Sequence, residues 1–409
     1  MWLLSADAFR GFRRPVYVVA LGRLVNVFGS GLVYPFATLY FHIQVGIPLA
    51  LIGLGLLANN VATAVATAVG GYLADRVGRR PVMTASMALA APALAAYALV
   101  STASGFVVVS TAAGLAAGLY TPAGQAMTAD LAGDDSDRAF ALLKVASNAG
   151  FGLGFVAGGV LYEVARTSVF LADGATSAVV AVLLALALPR VHGRAETAAL
   201  GASIADWGRA ITRPRIVSLA ALNVGFAVMY AQMQATVPIV AKETLGLSAA
   251  QVGTLWVINP LVIVLFQLPL VAAVSGWRRT RGLAVSAGFW GVSMLTVLLA
   301  SLLAGPAGVA LLAWFLVLRT VGEILHSPLI TALAGDLGRS SDRGSKLSLL
   351  EISKRLGFGL GATLGGAFFD AGLPHLLWPA LAGVCVVVAA GSLALERRVS
   401  LEENGVAAA

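Results

Sequence analysis

Arg319, Glu323 and His326 stand four and three residues apart in a long apolar stretch. On a helix that spacing puts a guanidinium, a carboxylate and an imidazole on one face. Ionisable groups are costly in hydrocarbon, so three together mark a proton or substrate site. Glu323 is the candidate proton carrier, and His326 is of a type that titrates near physiological pH unaided. The plainer alternative is a permanent Arg319–Glu323 ion pair that only satisfies its own charges. Other apolar stretches carry Arg23, Lys144, Glu351, Lys354 and Arg355, so five deep cations face two deep acids. Glu351 has partners three and four residues on, and Lys144 is placed to snorkel. A basic lining attracts anions and repels cations. Asp173, Glu163 and Asp370 fall near the ends of their stretches, where charge is cheap.

The elements that must position these residues are membrane helices. Of 409 residues, 59% are hydrophobic and 11% charged, and mean hydropathy is +0.89. That leaves too little polar surface for a soluble enzyme, and one cysteine, Cys385, excludes a disulfide framework. A span needs about 20 apolar residues. Twelve candidates are read at 16–40, 49–73, 82–102, 105–129, 139–162, 166–188, 215–240, 249–273, 283–304, 308–334, 345–369 and 375–395. With the N-terminus in the cytoplasm, 20 Lys and Arg fall on the cytoplasmic side, 2 outside and 5 within spans. This obeys the positive-inside rule and puts both termini in the cytoplasm, so the net charge of +8 reflects topology and not nucleic acid.

The chain is duplicated. Asp130-Leu131, Asp137-Arg138, Gly150-Phe151-Gly152-Leu153-Gly154 and Gly158-Gly159 recur as Asp336-Leu337, Asp342-Arg343, Gly357-Phe358-Gly359-Leu360-Gly361 and Gly365-Gly366, offset by 205 to 207 residues. Pro122 matches Pro328 in the same way. The expected organisation is a six-helix bundle over 1–189, a cytoplasmic linker over 190–214, a second bundle over 215–396 and a tail over 397–409, disordered from Glu402 on. The Gly-rich runs suit close helix packing better than dinucleotide binding, which needs a soluble βαβ unit. Internal duplication of membrane segments is the mark of a secondary transporter.

After span 2 comes Gly71-Tyr72-Leu73-Ala74-Asp75-Arg76-Val77-Gly78-Arg79-Arg80. This resembles the signature loop of the major facilitator superfamily, and the span count and duplication extend the resemblance over the whole chain. The start of span 5 and its Gly-rich stretch resemble the bacterial drug and metabolite exporters. The resemblance implies an all-α fold of two pseudo-symmetric six-helix bundles, with spans 1, 4, 7 and 10 lining a central cavity. It implies a site built from Arg23, Asn26, Tyr120, Asn223, Tyr230, Gln234, Arg319, Glu323 and His326, with Lys354 and Arg355 of span 11 beside it. It further implies gating by Gly71, Asp75, Arg76, Gly78, Arg79, Arg80 and Asp130, with Asp75 meeting the start of span 11 and Asp130 pairing with a loop arginine. The matching second-half loop, Ser275-Gly276-Trp277-Arg278-Arg279, lacks the acid.

The expected function is secondary active transport by alternating access: proton-coupled efflux of a small amphiphilic solute or drug, of anionic character. Two alternatives stay open, an uncoupled facilitator or importer of an organic anion, and a lipid flippase of this fold. No ATP-binding loop, metal, cofactor or catalytic residue is read. The expected partners are a small-molecule substrate, protons and the lipid bilayer of the cell's inner membrane, without nucleic acid, for a protein working as a monomer.

Overall fold

The computed structural model describes residues 9–190, 212–303, 305–338 and 343–406, all helix, turn and coil without a strand. Among them we label twelve helices in chain order, numbered as the spans are. In the first half, α1 is Arg14–Val33, α2 Leu49–Val77 and α3 Arg79–Ala95; α4 is Ala103–Gly118 resumed as Tyr120–Ala132, α5 is Ser136–Val164 and α6 Ser168–Ala187. In the second, α7 is Pro214–Ala235, α8 Ala249–Trp256 resumed as Ile258–Ala273, α9 Arg279–Leu303, α10 Gly305–Asp336, α11 Arg343–Asp370 and α12 Pro374–Glu396.

Among the described residues ten stretches are long and apolar enough to cross a membrane. One of them, Ala103–Val164, is 62 residues long and holds both α4 and α5, whereas α11 is not among the ten. Glu351, Lys354 and Arg355 in α11 lower its hydropathy. Exposed apolar side chains such as Val386 and Val387, each 69% accessible, suit lipid as solvent.

Turn chemistry follows from the sequence. A single residue, Gly78, joins α2 to α3 at φ +102, and Gly276 before α9 has φ +81. Left-handed backbone of this kind strains any residue with a Cβ, which explains a glycine at this point of the motif. Beyond α1 and α7 the chain breaks around Pro35 and Pro238, whose rings remove a backbone donor, and closes with π-helical turns at Tyr40–Gln44 and Val240–Thr244.

Two compact units emerge. The first comprises Met1–Tyr40, Ala58–Thr197 and Ser248–Pro260; the second comprises Phe41–Leu57, Ala198–Leu247 and Leu261–Ala409. In the first, α1 packs on α5 and α6, and α3 on α6; in the second, α7 packs on α11, and α9 on α10 and α12. Glycine permits these approaches. A Cβ on Gly150 would stand 2.6 Å from the Leu24 carbonyl oxygen, and one on its repeat partner Gly357 would stand 2.6 Å from that of Val224. With no hydrophobic force between helices in lipid, such close van der Waals contact is what holds them.

Over its described part, through Val406, the tail departs from the expected disorder. Asn404 is 1% exposed; its side chain accepts from the Thr280 N–H at 3.0 Å and donates to Thr280 Oγ1 at 3.0 Å. The Glu403 carboxylate accepts from Arg215 Nη1, from the Gly338 N–H and from the Ser400 N–H, each at 3.0 Å. Glu396 holds Arg278 at 2.5 Å and Arg281 at 3.0 Å. Glu396, the last residue of α12, therefore supplies a carboxylate to the second-half basic loop, which carries none of its own. The low hydropathy of 397–406 concealed the order of the tail, which comes from distant donors. Burial pushes the Glu403 carboxyl up, but the Ser400 and Gly338 N–H groups and Arg215 outweigh it and leave it below its ordinary value. Such a group stabilises the fold above its unfolded pKa, and the contribution is lost as pH falls through the lower folded value. Glu403→Ala is expected to cost about 1–2 kcal/mol in thermal unfolding at neutral pH. The penalty should vanish only in acid below the ordinary carboxylate range.

Candidate functional site

The charged face of α10 is buried in the second unit. Arg319 is 1% exposed, beneath the surface of its own helix bundle. Its Nη2 lies 3.2 Å from Glu323 Oε2. The guanidinium sits over the rings of Tyr230, at 4.9 Å, and Trp290, at 5.0 Å, which are themselves 4.9 Å apart. Its Nη1 lies 2.8 Å from Met233 Sδ, and its Nε has no hydrogen-bond partner among the described residues. Arginine suits this box because its flat, weakly hydrated cation can stack on aromatic faces. Glu323 retains 19% of its side-chain exposure, so a fully buried cation is paired with a carboxylate that is only partly buried.

Lys354 extends the cluster, its ammonium 5.8 Å from the Tyr230 ring centroid. Arg355 instead pairs with Glu351 at 2.9 Å along α11. His326 is 5% exposed and stacks on Phe226 at 4.1 Å. Asn223 donates to the Leu350 carbonyl at 2.8 Å and to Ser353 Oγ at 2.9 Å, so both its donors clamp α7 to α11. Gln234 lies half-buried near the end of α7.

In the first unit, Arg23 Nε donates to Ser147 Oγ at 2.8 Å, and that hydroxyl donates to the Leu143 carbonyl. Tyr120, 7% exposed, lies within electrostatic reach of Arg23. Among the described residues no carboxylate pairs with Arg23. Asn26 contacts Met87 Sδ at 3.5 Å. Lys144 is exposed on α5.

At the basic ends of the helices the duplication becomes geometric. Arg79 pairs with Asp130 and donates to the Ala126 carbonyl at 2.5 Å. Arg279 pairs with Asp336 at 2.6 Å and donates to the Ala332 carbonyl at 3.2 Å. Arg80 caps α6 by donating to the Ala185 carbonyl. Gly71 packs 3.8 Å (from an ideal Cβ) against Pro122. Asp75 and Arg76 are exposed, with Arg76 over the Tyr72 ring at 4.7 Å.

The opposite ends hold a second repeated arrangement. Within the second unit, Asp370 at the end of α11 accepts from the first N–H groups of α2, Leu49 at 2.9 Å and Ala50 at 2.8 Å. Within the first, Glu163 near the end of α5 accepts from the Ala250 N–H at the start of α8 at 3.1 Å. Glu163 and Asp370 are repeat partners, 207 residues apart. The glycines one turn before them, Gly159 and Gly366, press on the backbone of the same two helix starts. These acids are thus more than cheaply placed charges: Asp370 satisfies two orphan donors and Glu163 one, each at the positive end of a helix. The repeat offset was the signal that could have singled them out. Trp290, Met233 and Ser147 carried no such signal, since only packing brings them to the two arginines.

A duplicated, all-helical chain with basic clusters buried among lipid-facing helices is a multi-pass membrane transporter by class. The chain belongs to the major facilitator superfamily, whose model matches residues 19–242 and 222–407. It is 24% identical over 362 residues to the uncharacterized MFS-type transporter YttB of Bacillus subtilis (strain 168), covering 87% of this chain and 89% of that one. It is 25% identical to the multidrug resistance protein MdtH of Yersinia enterocolitica, covering 92% of each. The crystal structure of nucleoside transporter NupG shares the fold at a TM-score of 0.82 and 15% identity, covering 94% of this chain and 100% of that one.

Proposed function

We propose that the protein is a proton-linked carrier of a small amphiphilic organic anion, working by alternating access in the inner membrane as a monomer with both termini cytoplasmic. The Arg319–Glu323 pair in its aromatic box carries this reading. Ionised Glu323 neutralises Arg319. Protonation of Glu323 frees the guanidinium for a carboxylate, sulfonate or phosphate, and the box offers aromatic faces for an apolar body. Conversely, an anion that takes Arg319 leaves Glu323 without its cation and draws a proton to it. Proton and anion therefore bind cooperatively and travel in the same direction. Lys354 and Arg23 add positive potential, one in each half. Arg79–Asp130 and Arg279–Asp336 tie the cytoplasmic ends of the helices, while Glu163 and Asp370 latch the outer ends.

Export in exchange for protons is the second reading, favoured by the relative named multidrug resistance protein. Proteoliposomes with a trapped pH dye separate the two. Adding an amphiphilic sulfonate outside is expected to acidify the lumen as the anion enters. Proton movement against the solute supports exchange, and a response confined to cationic amphiphiles overturns the anion assignment.

A further inference from the structure

Asp173, in the second turn of α6, is 3% exposed, and its Oδ1 has no hydrogen-bond partner among the described residues. One turn further, Ser177 is fully buried, and its Oγ likewise has no partner. The facing residue is Gly29 of α1, where a Cβ would stand 2.6 Å from Asp173 Oδ1. The space for the carboxyl thus exists because α1 carries no side chain there. Thr176 offers nothing to it, since its hydroxyl donates to the Asp173 backbone carbonyl at 2.8 Å.

The neighbouring charges do not compensate it. Beyond α3, the Tyr97 hydroxyl is within electrostatic reach of Asp173 but donates to Ser110 Oγ at 3.0 Å. The Tyr40 ring past α1 packs on Phe170. On α5, Tyr162 stacks on Phe36, and Glu163 caps α8. Arg166 precedes α6 by two residues. On α1, Arg23 lies six residues from Gly29, about 9 Å along the helix, with its Nε on Ser147. No Lys, Arg or His pairs with Asp173 among the described residues. A carboxylate ion left this way costs several kcal/mol, whereas a carboxylic acid does not.

We propose that Asp173 is a proton-binding group of the first half, separate from Glu323. In this packing the carboxyl holds a proton. Releasing the proton requires water or a donor to reach Oδ1, and the way in is past Gly29, by parting α1 from α6. Because α1 also bears Arg23 and Asn26, the charge state of Asp173 acts on the helix that carries the first-half cation. The proton's passage during the cycle rests on the proton-linked reading above; its presence on Asp173 does not.

Infrared spectroscopy of the full-length protein in liposomes tests this directly. The wild type is expected to show a carboxylic-acid C=O band that is lost in Asp173→Asn, is retained in Glu323→Gln, and fades reversibly as pH rises. Asp173→Glu, which keeps the acid should the amide variant misfold, is expected to retain a band with a shifted midpoint. No difference between wild type and Asp173→Asn overturns the assignment. So does a band that never titrates, or one that sodium removes at constant pH, which would make this a metal-cation site. If the band behaves as expected but coupled proton movement is unchanged in Asp173→Asn, the site stands and its place in the cycle falls. Loss of coupling in Glu323→Gln alone leaves the Asp173 result intact.

Discussion

Replacing Glu323 by glutamine is expected to make anion binding independent of pH. On the proposed reading the wild-type carboxylate competes with the substrate for Arg319, so anion affinity should fall as pH rises. The amide keeps the shape and can still accept from Arg319 Nη2, which stands 3.2 Å from Oε2 in the native pair. It cannot neutralise the cation. The variant should therefore bind an amphiphilic anion at high pH as tightly as the wild type does at low pH. Coupling free energies between two ligands commonly correspond to 5–150-fold. We expect at least a ~10-fold difference in Kd between the two proteins at a pH where the wild-type carboxylate is ionised, shrinking as the pH falls and it takes up a proton. Quenching of Trp290 fluorescence reads it, because this indole forms one wall of the box. Anion counterflow should persist in the variant while gradient-driven accumulation disappears. A parallel pH dependence in both proteins would show the ion pair to be structural only.

The second large effect concerns the helix ends that carry Glu163 and Asp370, the outer ends on the proposed topology. Glu163→Gln combined with Asp370→Asn should open them. Carboxylates at helix N-termini contribute about 1 kcal/mol each, and up to ~2 in partly buried settings. Three backbone donors are held in this way: Leu49, Ala50 and Ala250. Losing both acids would shift the open–closed balance by about 3 kcal/mol, or ~150-fold. Ala249 is 3% exposed beneath Gly159. A cysteine placed there by Ala249→Cys, with Cys385→Ala removing the native thiol, should react with an impermeant maleimide far faster in the double variant. Single variants should fall between. Equal labelling rates would exclude a latch.

Much of this protein is legible in its residues. Hydropathy marks most of the helices, and the signature loop from Gly71 to Arg80 together with the repeat offset of 205 to 207 residues points to the family and the duplication. Arg319 and Glu323 are four apart, so their pairing is a property of any helix containing them. Arg355 and Glu351 follow the same rule. By contrast, Asn223 is a polar residue on a helix expected to line a cavity, and nothing local reveals that Leu350 and Ser353 consume its donors. Asp173 reads as an ordinary acid near a helix end until α1 and α3 close around it. The tail reads as solvent-exposed, although Thr280, Arg215 and Gly338 meet it.

The division has one physical cause. In lipid a helix satisfies its own backbone, so the elements, their periodic faces and their i,i+4 pairs are fixed by local sequence. Which faces meet is set by shape, through glycines that admit a neighbouring backbone and through side-chain hydrogen bonds that cross between helices. That packing decided that Arg319 lies in an aromatic box, that Glu163 and Asp370 hold helix starts, and that Asp173 stands opposite a glycine with no donor to its Oδ1 among the described residues.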